Sequence, residues 1–140
     1  HMSGKEMVGV MVVIEDGMAK KSDYRKFKIR GFDKANDPGA LKEVLERRFK
    51  HPEWPMSDLL VVDGNEVQKR IAEKILPNLE VKPPSWVVAV VKDERHRPRA
   101  VLGDGKTIEK YKRDILFANA EAHRFAITFH RLKRSKKFLE

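Results

Sequence analysis

Three side chains far apart in the sequence, Asp63, Asp93 and His123, are of types that together could hold a hard cation and activate water. Asp63 ends the apolar run Asp58-Leu-Leu-Val-Val-Asp-Gly64, and Asp93 follows a second, Ser85-Trp-Val-Val-Ala-Val-Val91. Two carboxylates held a few ångströms apart repel each other unless one takes a proton or a cation lies between them. Mg²⁺ suits that place, because it is bound through one or two carboxylates together with substrate phosphates and water. His123 could ligate the ion, or hold and deprotonate an attacking water, if the helix that carries it crosses the same edge. Each residue also has a plainer reading. An aspartate before glycine at a strand end is often a turn former or helix cap, and a histidine beside an apolar stripe is often a satisfied core-edge residue. Spacing alone leaves both readings open.

The elements that must position these groups follow from hydrophobic pattern. Strand, helix and strand are expected in turn over Asp58–Gly64, Glu66–Leu76 (with Val67, Ile71, Ile75 and Leu76 on one face) and Ser85–Val91. That is a βαβ unit with parallel strands and a right-handed crossover. Ligands of such sheets collect outside the carboxyl ends of the strands, where Asp63 and Asp93 are expected. His123 belongs to the stretch Glu121-Ala-His-Arg-Phe-Ala-Ile-Thr-Phe-His-Arg131, in which Ala122, Phe125, Ala126 and Phe129 form an apolar helical stripe. The spacing predicts a final helix beginning between Ile108 and Asp114 and running to about Arg134, with His123 at its buried edge. Val101 and Leu102 could form a short edge strand before it.

Upstream, Val8–Ile14 reads as a buried strand ending at the turn Glu15-Asp-Gly17. In Tyr24–Arg30, Phe27 and Ile29 alternate with Lys26, Lys28 and Arg30, so one face is buried and the other basic. Those cations are edge protection, a DNA-facing ledge, or both. Asp37-Pro38 opens an amphipathic helix over Pro38–Lys50, which Pro52 and Pro55 stop. Trp54 reads as a loop cover, with base stacking as the alternative.

The chain has 140 residues, one domain by length, with 41% hydrophobic and 36% charged residues. Its net charge is +9, which favours a polyanionic partner although it does not bear on the fold. Between Glu121 and Glu140 there is no acid, while Arg124, Arg131, Lys133, Arg134, Lys136 and Lys137 are all basic. The absence of cysteine excludes disulfides and thiolate metal sites and makes a cytoplasmic setting the expectation. No apolar run reaches membrane-spanning length. There is no phosphate loop, nucleophile elbow, HExxH or dinucleotide fingerprint, which removes the NTPase and serine hydrolase readings. His1-Met2 and Leu139-Glu140 read as cloning remnants, and the chain as a piece of something longer.

Met11-Val-Val-Ile-Glu-Asp-Gly17, LKEVLERRF over Leu41–Phe49, DLLVVDG over Asp58–Gly64, KDERH over Lys92–His96, EAHRFAITFHR over Glu121–Arg131 and the trailing LKRSKK occur in one order. This series resembles the C-terminal endonuclease domain of UvrC, the incision subunit of the bacterial UvrABC excision-repair system. The resemblance covers almost the whole chain. It implies an α/β, RNase H-like mixed sheet flanked by helices. It also implies a metal-dependent DNA endonuclease making the 5′ incision in nucleotide excision repair, with Mg²⁺ or Mn²⁺ as cofactor. The partners implied are damaged double-stranded DNA and UvrB, with UvrA in the pathway. By the same resemblance Asp63 and His123 match metal-site residues and Asp93 a further acid required for incision.

Two departures from the pattern stand out. The family's first strand, with an aspartate in an F/Y-D-x-S-H motif, would lie upstream of Ser3-Gly4 and is absent from this chain, so the chain alone is expected to cleave little or not at all. Its slot between the hairpin and the βαβ pair is expected to be filled by N-terminal residues or a neighbouring chain, or to leave the sheet split. The family's DGGKGQ is here Asp63-Gly-Asn-Glu-Val-Gln68, with only Gln68 surviving after the glycine. The DNA-binding candidates are Lys26, Lys28, Arg30, Arg95, Arg124, Arg131, Lys133 and Arg134, and His96 and His130 are phosphate contacts or solvated surface. The rival from another class is a noncatalytic basic module that grips DNA or docks a repair partner on the same scaffold.

Overall fold

The structure is a computed structural model that describes residues 7–29, 38–79 and 82–139, with side chains over 9–28, 39–79 and 82–128. The apolar N-terminal run is not one strand. β1 (Met7–Met11) pairs antiparallel with β4 (Arg25–Ile29), and a small hairpin of β2 (Ile14–Glu15) and β3 (Met18–Ala19) is inserted between them. Asp16 and Gly17 form the two-residue hairpin loop, both at positive φ (53° and 78°). Asp-Gly suits that turn because both central residues must be left-handed. On β4 Phe27 is buried while Lys26 and Lys28 are exposed, as the alternation requires. Arg30 lies outside the described residues.

α1 (Pro38–Arg48) buries Ala40, Leu45 and Arg48, and Phe49 follows just beyond its end. β5 (Leu59–Asp63), α2 (Glu66–Ile75) and β6 (Trp86–Lys92) form the expected parallel βαβ unit, with Leu59 opposite Trp86 and Asp63 opposite Val90. α2 starts cleanly: the Asn65 side chain accepts from Val67 N, and Gln68 Oε1 accepts from Asn65 N. This capping box joins Asn65, which stands in the glycine-rich turn, to the surviving Gln68. β7 (Pro98–Leu102) adds antiparallel to β6, with an irregularity in register at Val91/Lys92.

Residues alternate across β5 and β6, so the sheet has two packed faces. Val62 and Ala89 meet Leu45, Phe49, Ala72 and Leu76 on the α1–α2 side; Val88 and Val90 meet Ile115 of the last helix on the other. Ile115, Val88 and Val90 are wholly buried, each contributing about 1.5–3 kcal/mol by removal from water. Gly103 lets the chain cross this layer. A Cβ there would lie 2.8 Å from Val88 Cγ1 and 3.2 Å from Val87 O.

The last helix, α3 (Gly105–Leu139), begins earlier and ends later than expected. Asp104 caps it, accepting from Thr107 N at 3.0 Å and Thr107 Oγ1 at 2.8 Å. Tyr111 (φ −113°, ψ 17°) breaks it into two segments. The backbone stays helical through the basic tail, where lysine and arginine are good helix formers and favour a helix C-terminus. Among the described residues no helix is long and apolar enough to cross a membrane.

β1 and β5 do not pair with each other, and no described strand pairs with the free edge of either. The strands therefore form separate sheets, with α3 packed on both β1 and β5. Residues 1–6, which were expected to fill the slot, lie outside the described residues.

Candidate active site

Asp63 ends β5 on the face that α3 covers. The period of two that sends Val62 to the α1–α2 side sends Asp63 to the other, and the same period carries Val88, Val90 and Lys92 of β6 to that face. Lys92 is two residues past Val90, the partner of Asp63, and so reaches across diagonally. Its Nζ lies 3.3 Å from both Asp63 Oδ1 and Oδ2. The helix supplies the third member. Ile115, Asn119 and His123 recur every four residues along α3, a spacing that keeps them near one face. Ile115 packs in the core, and buried Asn119 places Nδ2 3.5 Å from Asp63 Oδ1.

His123 is one turn further, about 6 Å along the axis from Asn119, beyond the strand ends. It is exposed, which corrects the expectation of a buried edge. The apolar stripe of Ala122, Phe125 and Ala126 is only half-buried, and the buried residue of that turn is Glu121. The His123 ring faces that of His96, with centroids 6.5 Å apart and planes 19° from parallel.

Asp93 sits elsewhere. Asp63 is level with Val90, so Asp93 lies three residues further on, about 10 Å along the strand direction. Its carboxylate is turned into the β6–β7 connection. Oδ1 accepts from Arg95 N (2.8 Å) and Arg97 N (2.9 Å), and Oδ2 accepts from Arg97 Nε (3.2 Å). Asp93 N also donates to Arg97 O, and His96 N to Asp93 O. The Arg97 amide, with the Arg95 amide, the Arg97 guanidinium and His96 adding to it, holds the Asp93 carboxyl below its ordinary range. This turn carries His96 at φ 61° and presents it towards His123. The expected close pair of carboxylates is therefore not formed, because the strand register offsets them. Among the described residues no three His, Asp or Glu come together as a metal site.

The candidate cations divide into several surroundings. Lys26 and Lys28 are exposed on β4, and Arg95 is exposed in the Asp93 turn. Arg124 is engaged by Glu121 through two hydrogen bonds, Nε to Oε1 and Nη2 to Oε2 (the latter 2.9 Å). Tyr24 Oη donates to the same Glu121 Oε2 at 2.5 Å, and its ring packs on Phe125. The Arg124 guanidinium, helped by the Tyr24 hydroxyl, lowers the Glu121 carboxyl to about 2 against burial. Burial, then the adjoining carboxylate, raises the Tyr24 hydroxyl to about 12. The side chains of His130, Arg131, Lys133 and Arg134 lie outside the described residues. Trp54 is covered by Arg25 (4.7 Å to the ring centroid) and stacks on His51 (3.8 Å), an arrangement that matches the loop-cover reading.

Lys92, Asn119 and the Tyr24–Glu121 contact were not singled out from sequence. A lysine in phase with Val88 and Val90, and an asparagine one turn before His123 in line with Ile115, were the available signals.

The family model for the UvrC RNAse H endonuclease domain matches residues 1–127. The chain is similar to the UvrABC system protein C of Caldicellulosiruptor saccharolyticus, 36% identical across 100% of this chain and 24% of that protein. It is also similar to that of Alkaliphilus metalliredigens, 39% identical across 99% of this chain and 26% of the relative. It thus spans about a quarter of the length of the curated relatives it matches. The mixed α/β architecture, with three described helices, is consistent with an RNase H-like domain.

Proposed function

Because the chain belongs to the UvrC RNase H endonuclease domain family, we propose that it is the incising domain of a larger repair protein. The reaction is hydrolysis of a phosphodiester on the 5′ side of a lesion in double-stranded DNA, during nucleotide excision repair and in concert with UvrB after UvrA. The observation that carries this reading is Asp63: a solvent-open carboxylate at the carboxyl end of a parallel strand, bordered by Asn119 and Lys92.

Asp63 fits a divalent ion as a one-carboxylate site of the kind Mg²⁺ or Mn²⁺ occupies together with phosphate oxygens and water. When bound, such an ion supplies charge stabilisation at the phosphate under attack. Asp63 would hold it, with His123 the imidazole on the same side of the sheet. Asn119 orients Asp63 through its amide. His123, exposed and facing His96, would take a proton from water. Asp93 fixes the turn that presents His96. Lys26, Lys28 and Arg95, with the basic end of α3, attract the DNA backbone. One open carboxylate among these groups is a partial donor set, so the chain by itself should cleave slowly or not at all.

If about five phosphates are contacted, log affinity for duplex DNA should fall against log salt with a slope of about −4.5. A flat response in fluorescence anisotropy would remove the DNA reading. The absence of a three-donor cluster among the described residues favours one alternative, a noncatalytic DNA-gripping module. A Mn²⁺ titration of Asp63→Ala and His123→Ala separates the two, since a module binds duplex DNA equally well in both variants and ignores the ion.

A further inference from the structure

Lys92 joins two strands beside an open carboxylate. Its side chain is only 14% exposed, whereas that of its partner Asp63 is 60% exposed. A long lysine stem can lie covered while its ammonium stays at the surface, here beside the open Asp63 carboxylate. β6 aims its stem along the Val88–Val90 face, and its Nζ lies equidistant, at 3.3 Å, from the two Asp63 oxygens. From there it spans the carboxylate edge that a divalent ion would use.

We infer that Lys92 is the resident counter-ion of Asp63, holding the carboxylate in the absence of a divalent ion and competing with it for the site. The inference rests on the metal-dependent reading above and adds its regulation. A metal ion and the ammonium cannot share the same carboxylate edge without strong repulsion. Binding of the ion therefore requires Lys92 to turn away. An ammonium carries three donors and no acceptor, so the partner chemistry offers it is an anionic oxygen, and a DNA phosphate supplies one. Lys92 leaving Asp63 for a phosphate opens the carboxylate as substrate arrives. Asn119, being neutral, keeps Asp63 oriented in both states.

The test is Mn²⁺ affinity of the chain without DNA, read by electron paramagnetic resonance of the free ion. The proteins compared are the wild type, Lys92→Gln, Lys92→Arg, Asp63→Asn and the Lys92→Gln/Asp63→Asn double variant, with circular dichroism melts to establish that each is folded. Lys92→Gln should bind about tenfold or more tightly than wild type, within the range by which groups around a metal ligand alter affinity. Lys92→Arg, which retains the charge, should stay near wild type, and the gain should vanish in the double variant. Unchanged affinity in Lys92→Gln, with binding still lost in Asp63→Asn, overturns the counter-ion inference and leaves the metal reading standing. Affinity indifferent to Asp63→Asn in both backgrounds overturns the metal reading, and the inference with it.

Discussion

Two carboxylate–cation pairs lie along the middle of α3, and they are built in opposite senses. At Glu121 the carboxylate side chain is 9% exposed and the Arg124 guanidinium side chain 49% exposed. At Asp63 the acid is 60% exposed and the Lys92 base 14% exposed. Glu121 has both oxygens engaged by Arg124, and one also takes the Tyr24 hydroxyl, tying the segment before β4 to the helix. Its strong acidity reflects that engagement. Asp63 has one cation to its side and water in front. Which partner faces solvent decides what each pair can do: one closes a tertiary contact, and the other leaves an anion available to a ligand.

Substitution of the two acids should expose this difference from both sides. The largest effect expected is on chemistry. In the full-length protein, Asp63→Asn should lower incision by about 100-fold or more, beyond the loss usual for a residue that only supports a ligand. The melting temperature should move little, as for other exposed positions. Retained incision would place the reaction elsewhere.

Glu121→Gln should do the reverse. Weakening its charge-assisted hydrogen bonds should destabilise the fold by about 1–3 kcal/mol, a drop of several degrees in the melting temperature, while Mn²⁺ affinity is unaltered. A thermally silent Glu121→Gln would erase the contrast.

The smallest effect is on pH dependence, and its sign follows from the direction of each shift. Glu121 is lowered from 4.5 to about 2 in the folded chain. Its contribution is therefore present above the unfolded value and is lost as pH falls from about 4.5 towards 2. Tyr24 is raised from 10.0 to about 12, so its contribution is full below the unfolded value and is lost as pH climbs through that interval. Melts across the acid range should fall more steeply for the wild type than for Glu121→Gln. Equal slopes would place the acid sensitivity in other carboxylates.

Much of this was legible in local pattern. The βαβ unit follows from two continuous apolar runs around an amphipathic helix, and the outward lysines of β4 from strict alternation about Phe27. The nomination of Asp63 rests on the same logic, since the end of a parallel strand is a place that sequence can locate. The break in Val8–Ile14 was not legible, because seven apolar residues look alike whether they form one strand or two. The reach of α3 is not legible at either end. The Asp104 cap lies before the apolar stripe begins, and a charged tail carries no stripe to mark how far the helix continues.

The sequence by itself determined which residues could act, through residue type and period: acids at strand ends, an imidazole on a helix, and a surplus of positive charge. Only the tertiary structure decided which of them meet. Strand register is a long-range property, and it set Asp93 three residues past the level of Asp63, into a turn where two backbone amides occupy Oδ1 and the Arg97 guanidinium occupies Oδ2. Helix docking is another, and it laid Asn119 rather than His123 against Asp63. The pairing of Lys92 with Asp63 depends on both, because it is a diagonal contact across two strands on a face that exists only once α3 has packed there.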